Sequence, residues 1–572
     1  GDGHTLYVVN GKSLAGPNPD NCKTVGGKDA KLLGRVPATC TPDSQTPYAT
    51  GEYVLQIEKA GFLTVPVPSA DQLKTLTNLV AANNGFENQS SSYDSDVMAT
   101  LRQKIKHVIY IVRENRTYDQ VLGDLGKGNG DPNLVQFGEA ITPNVHMIAK
   151  QFVNLDNFYD PGEVSGNGWA WTTSARETDY GVKTIPLNYS SRGTSYDTEG
   201  TNRNVNVGLA EPARSTANPV TPNDPDLLPG TNNVAAPDGP EGESQQGYLW
   251  NSALRANLTV RNYGFFCDLV RYSTNVRDNP NADVRKAYIP LTPKYPTTTI
   301  AYAANPELAS ITDPHFRGFD DAYPDFYREA EWESEFNGFV TKGNLPALSL
   351  VRLMNDHTGS YSVPPLDGVD TPEKEVADND YAVGKLIEAI SKSTAYKSNT
   401  LIFIVEDDAQ DGADHVDAHR SVAFVVGPYV KQGGAVVSTH YSTVNMLRTI
   451  EDVLGIDHLS FYDAYQGPMA DVFDTSKSDW TFTAKASTLL TMYTTLQIPP
   501  TAAYPLVAAK PMHDAAYWAA KTKGMDFSAE DRIDSNAYNR ILWEGLKGQT
   551  PYPAQRSGAD LGQPKARRDD DD

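Results

Sequence analysis

Four stretches of the chain are apolar with almost no polar alternation: residues 107–112 (HVIYIV), 348–353 (LSLVRL), 401–405 (LIFIV) and 422–426. Such runs predict strands covered on both faces. Between them, apolar residues recur at helical spacing. Val383, Leu386, Ile387 and Ile390 predict a helix over 377–392, and further helices are expected over 69–83, 144–152, 169–177 and 442–454. Strand, helix and strand in this rhythm predict an α/β domain with a parallel sheet.

Three of the apolar runs stop in chemistry. The first is followed by Glu114 and Asn115, the second by Asp356 and His357, and the third by Asp407 and Asp408, with His415 and His419 soon after. Open α/β sheets place their sites at the carboxyl ends of their strands. The third run opens the densest cluster, LIFIVEDDAQDGADHVDAHR, whose concentration of like charge calls for a neutralising partner. A divalent cation is the simplest one, and a solvated acidic loop is the alternative. Ser165 precedes a glycine-flanked turn and a helix-forming run, which puts its hydroxyl at a helix N-terminus where backbone N–H groups favour anions. An N-cap serine is the alternative there. Acids, amides and imidazoles around a hydroxyl suit one or two divalent ions that bind a phosphate ester and activate a nucleophile.

The 572 residues carry a net charge of −23. That excess opposes nucleic acid as a partner, so a phosphate-bearing substrate needs local positive charge, most simply a metal. No apolar run reaches the length of a membrane span, and the opening residues lack the pattern of a signal peptide, so either the chain is cytoplasmic or its leader has been removed; many Tyr, Asn, Thr, Gly and Pro and few Lys resemble an exported protein, expected to be periplasmic or secreted. Of three cysteines, Cys22 and Cys40 lie close enough for a disulfide, which leaves Cys267 as a buried thiol.

The segments IKHVIYIVRENRTYDQVLGD, LVRLMNDHTG and LIFIVEDDAQDGADHVDAHR resemble the bacterial phosphoesterase family of phospholipases C and acid phosphatases, within the alkaline phosphatase superfamily. The resemblance implies a doubly wound α/β/α sandwich, metal ligation by Glu114, Asn115, Asp407 and Asp408, and a Ser or Thr nucleophile that is transiently phosphorylated. By motif order the nucleophile is Ser165, with Thr117 of the ENRTYD motif as its rival. Asp356, His357 and His419 match by position the second-metal ligands of the wider superfamily, while Asn115 and His415 are expected to contact substrate. Monoester, diester and phospholipid substrates stay open, as does the ion among Ca, Mn, Mg and Zn. A phosphoglycerol transferase, a sulfatase-like activity or a cell-surface binding protein with a structural metal are the other readings.

GDGHTLYVVN resembles a strand of a seven-bladed surface-layer propeller, and relatives of this type often carry such a domain. Residues 1–92 are accordingly expected to be the end of a propeller-like β domain with a linker helix; an N-terminal hairpin packed on the main domain is the alternative. Residues 93–478 form the catalytic α/β domain, with 178–314 as a polar cap, and 479–572 are peripheral helices with a disordered tail.

Overall fold

The computed structural model describes residues 3–10, 61–83, 92–177, 247–269, 291, 299–303, 306–363, 366–410, 412–499, 507–525, 527, 533 and 535–554. Cys22, Cys40, the stretch 178–246 of the expected cap and the acidic tail lie outside the described residues.

The core is built on a five-stranded sheet made of β1 (His107–Arg113), β2 (Val260–Tyr263), β3 (Leu348–Arg352), β4 (Thr400–Glu406) and β5 (Ala423–Val426), in the spatial order β5, β4, β1, β3, β2. β4, β1, β3 and β2 run parallel to their neighbours, whereas β5 is antiparallel to β4. The sheet is therefore mixed, not wholly parallel. The reason is local: the described residues between β4 and β5 include no helix, and a parallel return needs a crossover that only a long connection provides. The edge strand β2 comes from the stretch read from sequence as a cap.

Every residue of β4 is buried, so both faces of the sheet are covered, as its uninterrupted apolar run requires. Two groups of helices do the covering. Helix α6 (Pro372–Lys392) packs against α5 (Asp325–Lys342) and α3 (Pro143–Gln151), while α7 (Thr443–Leu454) packs against α1 (Ser92–Lys104) and α4 (Ser165–Ser174). Helix α7 buries Val444, Leu447, Ile450 and Val453 at helical spacing and stops at Gly455, whose φ of 70° is open to glycine at no steric cost. In a core this dense, truncating a fully buried ring such as Phe403 to Ala should cost about 3–5 kcal/mol.

Register then decides where the polar residues arrive. Val405 pairs with Val112 and Glu406 with Arg113, while Val112 pairs with Arg352, so β1, β3 and β4 finish at one rim. Towards the N-terminus, Thr5–Asn10 pairs with Gly61–Pro66 as a two-stranded antiparallel sheet, and Val9 and Phe62 on it are exposed. Among the described residues no propeller is seen, and 11–60 lie outside them. Cys267 is a buried thiol directed at the carbonyl of Phe265 at 3.3 Å. Among the described residues no helix is long and apolar enough to cross a membrane.

Candidate active site

The rim of the sheet gathers Glu114, Asn115, Ser165, Asp407 and Asp408. β1 runs straight into Glu114, and Asn115 then turns the chain with a φ of 63°, in the left-handed region where Asn is among the few side chains at home. A residue held there at a strand end is strain of the kind found at binding sites. Its amide is fixed on both sides: Nδ2 donates to Gln410 Oε1 at 2.5 Å and Oδ1 accepts from Ser165 Oγ at 3.3 Å.

Ser165 is the first residue of α4, with Val164 as the cap residue. Its Oγ donates to Asp408 Oδ2 at 3.0 Å. Two glycines allow the approach. A side chain at Gly168 would meet the backbone oxygen of Asp407 at 2.5 Å, and one at Gly162 would meet the Cα of Gly168 at the same distance. The N-terminal turn of α4 therefore lies directly on the strand end that carries the carboxylates, a fit that any Cβ would spoil.

Glu114, Asp407 and Asp408 are each fully buried. Burial raises the proton affinity of Asp407 well above the usual carboxylate range, the charges of Glu114 and Asp408 add to it, and the Ser165 hydroxyl opposes them. Glu114 is pushed up to about 7 by burial, against the pull of Arg352, whose Nη2 and Nε lie 2.6 and 3.0 Å from Glu114 Oε1. Arg352 is thus paired with Glu114 beside two further buried carboxylates. Three such oxygen donors with an adjacent amide oxygen are the donor set that hard or borderline divalent ions take, and a cation would let the cluster stay ionised without leaving the core.

The other sequence candidates sit around this centre. Asp356 Oδ2 forms an ion pair with Arg113 Nη2 at 2.9 Å, and its Oδ1 accepts from Asn379 Nδ2 at 3.1 Å and from the backbone N–H of Glu114 at 3.2 Å. Arg113 also reaches Glu406 at 3.1 Å, so Asp356 works in an internal ion-pair network that holds the strand ends. His357 is buried with Nδ1 3.4 Å from Asp321; burial resists its protonation, but Asp321 and Glu114 outweigh that and raise its pKa.

His415 and His419 lie farther along the loop. His415 pairs with Asp119 at 2.6 Å and with Asn129 at 3.2 Å. His419 is held between Asp417, at 2.9 Å, and Glu163, at 3.4 Å; the hydrogen bond to Asp417 is the main reason its pKa is raised to about 10. Both of its ring nitrogens are thus turned to carboxylates. Thr117 caps the short helix α2 (Tyr118–Leu122) and donates to the carbonyl of Ala413 at 2.7 Å, the post of a structural hydroxyl.

Residues 314–457 match the Phosphoesterase family. The matched stretch contains Asp356, His357, Asp407 and Asp408, whereas Glu114 and Ser165 precede it and join the site only through the fold. The chain carries an ester-hydrolysing enzyme domain. No curated protein matches it. Among solved structures it is similar to a protein of the alkaline phosphatase superfamily from Vibrio parahaemolyticus, at 13% identity and a TM-score of 0.33 over 65% of this chain and 78% of that one. It is also similar to a sulfatase from Pseudoalteromonas sp. (11% identity, TM-score 0.36, 73% of this chain and 78% of that one). The lipoteichoic acid synthase LtaP from Listeria monocytogenes is a third (10% identity, TM-score 0.33, 65% and 81%).

Arg352, Arg113 and Gln410 are not among the residues singled out in the sequence. A signal for the first two was present: an arginine closing an otherwise apolar buried strand must find an acid at that strand's end, and both do. Gln410 left no such trace.

Proposed function

We propose that the protein hydrolyses phosphate esters with Ser165 as nucleophile, in a site whose divalent ion is held by Glu114, Asn115, Asp407 and Asp408. The observation that carries this reading is the Ser165 hydroxyl, 3.0 Å from Asp408 Oδ2 and 3.3 Å from Asn115 Oδ1 at the first residue of α4, beside three buried carboxylates. An ion bound there supplies the positive charge that favours ionised serine oxygen and neutralises the non-bridging oxygens of the ester.

The chain's own groups do the remainder. Asp408 Oδ2 holds the Ser165 proton and orients the oxygen; the two glycines keep α4 close enough for that bond. As Oγ bonds to phosphorus, the bond from phosphorus to the leaving oxygen breaks and the alcohol departs. Water then attacks the phosphoserine, releasing phosphate and restoring Ser165. The amide of Asn115, locked by Gln410, faces the serine oxygen and so the space in which the phosphoryl group is transferred. Arg352 is engaged by Glu114, which keeps that carboxylate in place.

The test combines turnover with metal content. Ser165→Ala should abolish hydrolysis of p-nitrophenyl phosphate while elemental analysis finds the ion retained, and acid quenching of the wild type with a radiolabelled ester should label the peptide containing Ser165. Full activity in the variant would refute the assignment. Running bis-p-nitrophenyl phosphate and p-nitrophenyl sulfate beside the monoester sorts the ester class.

A further inference from the structure

Away from the rim, a second set of ligating side chains lies at the carboxyl end of α7. Glu451, in the last turn, is fully buried, and its Oε2 is 2.8 Å from His458 Nδ1. Asp463, also fully buried, shapes the loop after α7 by accepting from the backbone of Leu459 at 2.6 Å and of Ser460 at 2.7 Å. One ligand atom from each of Glu451, His458 and Asp463 falls within 4.8 Å of the other two.

A separate observation points to a ligand. Glu451 Oε1 is buried and accepts no hydrogen bond, although its side chain lies within hydrogen-bonding reach of Asp463. Two buried carboxyls at this distance cannot both ionise without a positive charge between them. The end of α7 gathers partial negative charge from its carbonyls, and its last turn holds no basic residue. The neighbouring cation Arg448 is engaged by Asp452 at 3.0 Å and by the carbonyls of Asp463, Ala464 and Gln466.

We propose that Glu451, His458 and Asp463 form a second cation site, for a divalent ion of the zinc or manganese class. Two carboxylates and one imidazole suit such ions. His458, 36% exposed, opens the site to solvent and gives the ion its way in. The site would staple the end of α4 remote from Ser165: the Ser460 hydroxyl that donates to Asp463 at 2.9 Å also reaches the carbonyl of Ala175 at 3.2 Å, the residue that caps α4, and Trp171 of α4 meets Tyr462 edge-on at 5.5 Å. The inference does not depend on the hydrolytic reading.

The experiment titrates chelator-stripped full-length protein with Zn(II) and counts bound ions by elemental analysis in wild type, His458→Ala, Asp408→Asn and the double variant. His458→Ala should bind one ion fewer per chain than wild type, and Asp408→Asn should keep the ion that His458→Ala loses. Zinc should raise the melting temperature of Asp408→Asn, and that rise should vanish in the double variant. Circular dichroism checks that His458→Ala is folded, with His458→Gln as the second variant if it is not. Equal ion counts in wild type and His458→Ala, or no zinc-dependent rise in Asp408→Asn, would overturn the site and leave a proton shared by the two carboxyls.

Discussion

The loop after β4 contains two acidic halves that look alike in sequence and behave differently in the fold. In the first, Asp407 and Asp408 sit buried beside Glu114 and the Ser165 hydroxyl, and the nearest guanidinium, Arg352, is committed to Glu114. In the second, Asp414 meets Arg420 at 3.0 Å, and Arg420 also grips Asp119 at 2.9 Å, with all three side chains fully buried. Asp119, Asp414 and His415 stand close enough to hold an ion, but a cation of the chain itself, Arg420, is already paired with both carboxylates. What separates the two clusters is how far an arginine reaches: Arg420 is paired with both carboxylates of the second, whereas Arg352 is paired with Glu114 and leaves Asp408 to the Ser165 hydroxyl.

Four substitutions probe that distinction, from the largest effect to the smallest. Asp408→Asn should lower turnover by about a thousandfold, equivalent to about 4 kcal/mol, with an unchanged circular dichroism spectrum; near-normal kinetics would move the hydroxyl's partner elsewhere. Arg420→Ala strips the latch and leaves two buried carboxylates uncompensated, so urea unfolding should show a loss of about 3–5 kcal/mol. A loss below about 1 kcal/mol would mean that the latch is not structural. Gly168→Ala should cost about a hundredfold in kcat, because the added methyl meets the Asp407 backbone and displaces the serine; an unchanged kcat would show that the close approach is unimportant. Thr117→Ala should keep turnover and lose about 1 kcal/mol on denaturation, the value of a helix cap. Loss of turnover with stability intact would instead restore Thr117 as a nucleophile.

Much of this was legible in the sequence because apolar runs declare strands, and strands of a largely parallel sheet deliver the residues at their carboxyl ends to one rim. Glu114 and Asp407 could be read together on that ground, and the register of β1 with β4 brings their strand ends level. The ion pairs were not legible. Asp356 also follows its strand closely, four residues past Arg352, yet Arg113 and Asn379 claim it, and nothing local to Asp356 announces which guanidinium will arrive from another strand. The direction of β5 was hidden for a related reason: an apolar run reads the same in either sense, and only the helix-free connection fixes it.

The left-handed backbone at Asn115 carries a consequence for anyone recruiting this scaffold to new substrates. Randomising that position wastes most of its codons, since branched and bulky side chains meet a steric penalty before they meet any ligand, and only glycine, aspartate or the resident amide adopt the turn cheaply. A productive library would hold 115 to those three and place its diversity on residues whose backbone leaves them at liberty to change.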